Sequence, residues 1–150
     1  MKRFLINFFY SFTHNILKVR WKDLQTKTLS FCINCYGIEN TFSKRERALR
    51  FGEEAIELLQ TTGLTKEDII NLIEYVYRKN PGEVKDEFAG AQLTLLALAN
   101  SFGIYLDDEA DNNLELVNKN MPMIIKKYCK KPDQIVCVYP LQSLREIEFD

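Results

Sequence analysis

Between Ser43 and Gly103 the apolar residues recur with the period of a helix, and each run is bounded by helix-ending chemistry. Ala48, Leu49, Gly52, Ala55, Ile56 and Leu59 follow spacings of three and four, which places them on one helical face. "SKRE" opens this run as a capping box, with Ser43 as cap and Glu46 reaching back from three residues on. "TTG" closes it, because Gly63 can take the left-handed conformation that ends a helix. "TKED" repeats the opening with Thr65 and Asp68, and Ile69, Ile70, Leu72, Ile73, Val76 and Tyr77 form a second apolar set that "KNPG" stops. A third helix is expected from Pro81 or Gly82, since proline suits the first helical turn, through "EVKDEFAGAQLTLLALANSF" to Gly103. A fourth begins near "LDDEADNNLELV" with Asp107 or Asp108 as cap, and Pro122 starts a shorter piece. Connections of a few residues imply antiparallel neighbours, so the expected fold class is an all-α, antiparallel helical bundle. "QIVCVYPL" near the C-terminus has strand-like composition, but one strand cannot make a sheet.

Length and composition narrow the picture only modestly. A chain of 150 residues suits one domain, and 46% apolar with 27% charged residues is the balance of a folded soluble domain. The formal net charge of -1, with acidic and basic residues interleaved, gives no field that recruits nucleic acid or anionic lipid. Neither a nucleic-acid nor a membrane partner is therefore expected. No apolar run approaches the roughly 18 residues needed to cross a bilayer. The start, "MKRFLINFFYSFTHNILK", has the basic tip and apolar run of a signal peptide, but Asn7 interrupts it and no small-residue cleavage site follows. We read residues 1–31 as an amphipathic arm that docks on the core or on a partner, 32–130 as the helical domain and 131–150 as a tail. The expected compartment is the cytoplasm.

Cys32 and Cys35 form a C-x-x-C pair, which could bind zinc or do redox chemistry. Cys129 and Cys137 do not supply the second close pair that a strong zinc signal needs, and no βαβ pattern surrounds "CINC". Reduced, structural cysteines are the favoured reading, with metal the alternative.

Carboxylates carry the candidate chemistry. At about 100° per residue, Arg47, Arg50, Glu54 and Glu57 form one stripe on the first predicted helix. Glu54 borders the apolar edge, so Glu54 and Glu57 are the pair able to converge, with Glu53 in support. The ordinary alternative is a solvated face laced by Glu46–Arg50 and Arg50–Glu54 pairs, each worth about 0.2–0.5 kcal/mol. On the third helix Glu83 and Glu87 are four apart and share a face that continues through Gly90, Thr94 and Ser101, with Asp86 to one side. Two helices each carrying carboxylates one turn apart offer the hard oxygen donors that Mg²⁺ or Mn²⁺ prefers.

These residues resemble a known family. "EEAIE" at 53–57 resembles the E-E-x-x-E motif of MazG-like nucleoside triphosphate pyrophosphohydrolases, of the all-α NTP pyrophosphatase superfamily. "DEFAGAQLTLLALANSFGIYLDDEA" is similar to that family's second metal helix and following loop, where E-x-x-D precedes an apolar run ending in G-I-D-L. The resemblance covers Cys35 to Val117, and "INCYG", "RALRFGEEAIELLQ" and "YVYRKNPGE" are most similar to a subgroup of small MazG-like proteins. It implies a MazG-like bundle completed by homo-oligomerisation as a homodimer or tetramer, with Mg²⁺ or Mn²⁺ as cofactor. The implied substrate is a nucleoside triphosphate, cleaved between its α and β phosphates to the monophosphate and pyrophosphate. By position Glu54 and Glu57 match the first two metal ligands, and Glu87 matches the glutamate of E-x-x-D.

The fourth ligand departs from the pattern, because Gly90 stands where the family has its aspartate. Glu83, on the same face one turn earlier, is the first replacement and Asp86 the second. On the same resemblance Glu53 is a general base or a partner behind the ligands. Arg47 and Arg50 would meet outer phosphate oxygens, against the alternative of solvated ion pairs. Gly90 and Thr94 would leave room for base or sugar, with Tyr36 or Phe51 to stack on it, against ordinary core packing. His14, the one histidine, lies in the arm and has no catalytic role here. The competing readings are a catalytically weak or inactive nucleotide- or protein-binding module, for which Gly90 argues, and a purely structural helical oligomer.

Overall fold

In the computed structural model, which describes residues 2–131, six helices follow one another and no strand occurs among the described residues. The chain is all-α. The helices are α1 (Lys2–Phe42), α2 (Lys44–Thr61), α3 (Lys66–Tyr77), α4 (Val84–Phe102), α5 (Leu106–Lys119) and α6 (Met121–Cys129). The strand-like "QIVCVYPL", Cys137 and all of the expected tail after Lys131 lie outside the described residues, as does the side chain of His14. α1 runs unbroken through residue 31, where the arm was expected to end, and its one non-helical residue is Gly37 at φ 77°. Only glycine takes that value without a Cβ penalty.

The chain forms two compact units. In one, residues 2–42 associate with 110–131. α6 packs along α1 there. Phe31, Cys35 and Tyr128 are buried, and the Tyr36 ring sits 6.0 Å from Phe31, edge-on, and 5.0 Å from Tyr128. Asn40 and Thr41 are buried polar residues, and each donates to a carbonyl one turn earlier: Asn40 Nδ2 to Tyr36 O at 3.1 Å, Thr41 Oγ1 to Gly37 O at 2.7 Å. These bonds satisfy the two donors, while the buried Asn40 Oδ1 has no hydrogen-bond partner among the described residues. Cys35 is thus part of a packed core, one helical turn from half-buried Cys32.

The other unit, Ser43–Glu109, holds α2, α3, α4 and the start of α5. Its punctuation follows the expected chemistry except at Glu46, whose side chain pairs with Arg47 and Arg50, so that only the Ser43 half of the expected capping box forms at α2. Ser43 Oγ accepts from the Glu46 amide at 3.2 Å to cap α2. Thr65 and Asp68 form the full reciprocal box at the head of α3, with Thr65 N donating to Asp68 Oδ2 at 2.9 Å and Asp68 N to Thr65 Oγ1 at 3.2 Å. Gly63 (φ 93°) and Gly103 (φ 68°) end α2 and α4. In both cases the next amide bonds back five residues, Leu64 to Leu59 O and Ile104 to Ala99 O, the pattern of a left-handed helix cap.

Two boundaries differ from expectation. α4 starts at Val84, not at Pro81 or Gly82, and Glu83 caps it with extended backbone (ψ 134°) and no side-chain bond. α5 starts at Leu106, so Asp107 and Asp108 lie in its first turn rather than ahead of it. There they favour the helix by charge, next to the positive end of its dipole. Within this unit α2, α3 and α4 share no continuous contact. α4 is exposed along nearly its whole length, Leu98 and Ala99 excepted.

Candidate functional site

The most organised polar cluster of the candidate region lies on α2, along residues 46, 50 and 53. Glu46 is fully buried, at 0% exposure. Its carboxylate meets Arg50 Nε at 3.2 Å and Arg47 Nη2 at 3.6 Å. Arg50, with only 13% of its side chain exposed, also donates through Nη1 to Glu53 Oε2. The spacings of four and three set these groups above one another on the helix surface. A planar guanidinium can bridge two carboxylates in a way that an ammonium cannot, so one arginine ties a buried acid to a motif acid.

Glu54 and Glu57, the expected metal pair, are exposed on α2. The Arg50–Glu54 pairing expected from the i,i+4 spacing is replaced by Arg50–Glu53. Arg47 stays close to its own helix through Glu46. The sequence pattern marks Glu46 only as a capping partner and an i,i+4 neighbour of Arg50. Its burial was not legible, because that depends on what the folded chain lays over the position.

On α4 the expected acids sit at the helix entrance. Asp86 and Glu87 occupy the first turn, and both their amides donate to Glu83 O, at 2.9 and 3.0 Å. Carboxylates in a first turn are favoured by the helix dipole whether or not they bind anything. Glu83 is the cap, so the wheel that put Glu83 with Glu87 on one helical face applies only from Val84 onward. Gly82 lies directly under the Glu87 carboxylate, and a Cβ there would collide with it. Gly90 faces open space, with nothing within 4 Å of an added Cβ. The Thr94 hydroxyl turns back on its own helix, donating toward Gly90 O (3.0 Å) and Ala91 O (3.1 Å).

Of the two candidate stacking residues, Tyr36 is engaged by Phe31 and Tyr128, the packing alternative. Phe51 is 63% exposed.

As to metal, the donors do not assemble within the chain as folded here. Among the described residues no group of three or more His, Cys, Asp or Glu side chains lies together in a way that could hold an ion. Glu54, Glu57, Glu83, Asp86 and Glu87 are all exposed. Also among the described residues, no single helix is long and apolar enough to cross a membrane. No protein-family model matches the chain, and no curated protein or solved structure matches it.

Proposed function

We propose that the protein is a metal-dependent nucleotide pyrophosphohydrolase of MazG-like type, acting in the cytoplasm and cleaving a (d)NTP to the (d)NMP and pyrophosphate. The observation that carries this reading is the E-E-x-x-E stretch on a regular α2. Glu54 and Glu57 are exposed there one turn apart, while Glu53 beside them is held by Arg50. Asp86 and Glu87 at the head of α4, with Glu83 as its cap, are the second set of acids.

Because these acids do not gather within the described chain, the proposal places assembly before chemistry. A second copy, in a homodimer or tetramer, covers the exposed apolar surface of α4 and closes the bundle around the carboxylates. Mg²⁺ or Mn²⁺ supplies, once bound, charge neutralisation of the triphosphate and a more acidic water. The protein's own part is to present carboxylates on rigid helices, with Glu53 oriented to take a proton. Arg47, also paired to Glu46 but through a longer contact and the more exposed of the two arginines, is the candidate for an outer phosphate oxygen. Gly90 and Thr94 offer an unobstructed patch for sugar or base.

One observation favours a second reading. Gly90 leaves the family's aspartate position without a ligand and in open space. That suits a nucleotide- or protein-binding module without turnover.

The deciding experiment incubates the full chain with a panel of (d)NTPs and Mg²⁺ or Mn²⁺ and measures pyrophosphate. Release that Glu57→Gln abolishes is the expected result. Tight nucleotide binding without release selects the second reading. Calorimetry that detects no Mn²⁺ binding, together with no release, leaves only a structural helical oligomer.

A further inference from the structure

We infer that Arg50 is a positioning residue for Glu53, anchored from behind by the buried carboxylate of Glu46, and is not a phosphate contact. The inference rests on reading the 53–57 stretch as part of a site.

A guanidinium that grips an incoming phosphate must present N–H groups to solvent. Arg50 is instead largely covered, and two of its nitrogens are committed to carboxylates on either side of it along α2. Releasing it would leave the Glu46 carboxylate, which has no exposure at all, with the 3.6 Å contact to Arg47 in place of the closer 3.2 Å one to Arg50, and weakening the pairing of a buried carboxylate is disfavoured. The ion pairs therefore hold Arg50 in place rather than leaving it available.

The same argument gives the network a direction. Glu46 is immobilised by burial, and its amide is fixed by the Ser43 cap. Arg50 is immobilised by Glu46, and Glu53 by Arg50. Glu54 and Glu57 have no such tether and can adapt to a ligand. Within one short motif the chain thus carries one acid held in a set orientation and two that are exposed and untethered.

The test uses the full chain, labelled with ¹³C at the glutamate carboxyls. The Glu53 resonance is assigned by its loss in Glu53→Gln. Arg50→Lys and Glu46→Gln, each checked for retained helicity by circular dichroism, are expected to shift that resonance. An unmoved Glu53 signal in both variants overturns the inference, whether or not the protein turns over nucleotide.

Where the wild type releases pyrophosphate, Arg50→Ala is expected to lower kcat roughly tenfold to a hundredfold with KM for the nucleotide little changed. Arg50→Lys should recover part of the loss. The double variant Arg50→Ala/Glu53→Ala should be no slower than Glu53→Ala alone, because residues that act as one unit are not additive. A raised KM at unchanged kcat marks Arg50 as a phosphate contact and overturns the inference, as do additive losses. A wild type without hydrolysis sinks the pyrophosphohydrolase proposal but leaves the resonance measurement to decide the network.

Discussion

The carboxylate of Glu87 lies over Gly82, in the space that a side chain at position 82 would claim. The glycine is thus matched to the acid five residues on. The loop before α4 and the first turn of α4 are arranged together. Gly82→Ala forces the far end of a flexible side chain to move, not the backbone, so its cost in stability should be small. Thermal unfolding is expected to change little, whereas the Glu87 carboxyl resonance should shift. On the proposed function pyrophosphate release should fall in parallel. A variant that unfolds well below the wild type would show that the backbone, not the acid, occupies that space.

Gly90 supports a sharper pair of substitutions. An added Cβ meets nothing there, and glycine inside a helix is destabilising by roughly 0.5–1 kcal/mol relative to alanine. Gly90→Ala should therefore stabilise the chain by about that amount without touching divalent-ion binding. Gly90→Asp introduces the acid that the MazG-like pattern, which the chain resembles, has at this position. It should gain only a few tenths of a kcal/mol, roughly, from propensity. Its diagnostic is tighter Mn²⁺ binding by calorimetry and faster pyrophosphate release than either wild type or Gly90→Ala. Equal Mn²⁺ behaviour in the alanine and aspartate variants would remove position 90 from the site.

Much of the fold was legible in sequence because helix ends are local events. Ser43, Gly63, Thr65 and Gly103 act within their own turns, and the structure places each where its chemistry pointed. The misplaced boundaries share a cause. "NPGE" and "YLDD" each contain several residues able to start a helix, and spacing does not choose among them. In the event Glu83, not proline or glycine, became the cap. The candidate site was less legible. That Arg50 would turn to Glu53 rather than Glu54 follows from side-chain reach, which the wheel does not encode. The burial of Glu46 is a tertiary fact with no local signature. Convergence between α2 and α4 needed the two helices to face each other closely, and periodicity fixes a helical face but not its neighbour.

The cap of α3 has a pH signature. Hydrogen bonds from the Thr65 hydroxyl and then the Thr65 amide hold the Asp68 carboxyl below its ordinary value of 3.8. A carboxyl lowered in the folded state stabilises the fold above its unfolded value, and that contribution disappears as pH falls through the folded one. Denaturant midpoints of the wild type should therefore drop between about pH 4 and lower values more steeply than those of Asp68→Asn. Identical slopes for the two proteins would mean that the cap contributes nothing to this pH dependence.

The last prediction concerns the face of α4. Phe88 is 74% and Leu93 69% exposed, and five residues at about 100° each put them roughly 140° apart around the helix. A helix apolar on opposed sides suits an interior, so on the proposed assembly this exposed apolar surface is the face that a second copy covers. Val84 and Phe102 add to it, at 68% and 57% exposure. Covering each large side chain contributes about 1.5–3 kcal/mol, so several together can drive association of helices that share no continuous contact within one chain. Sedimentation of the full chain should give at least a dimer at micromolar concentration. Phe88→Asp and Leu93→Asp, which place a charge in the covered surface, should each shift it toward monomer with helicity retained. If Phe88→Asp alone does so, a single side of α4 forms the contact and a dimer suffices. If both do, α4 is enclosed from both sides, and the tetramer becomes the state in which to look for the assembled carboxylates. A wild type that sediments as a monomer would remove the assembly step, and with it the means by which Glu54, Glu57 and Glu87 come together.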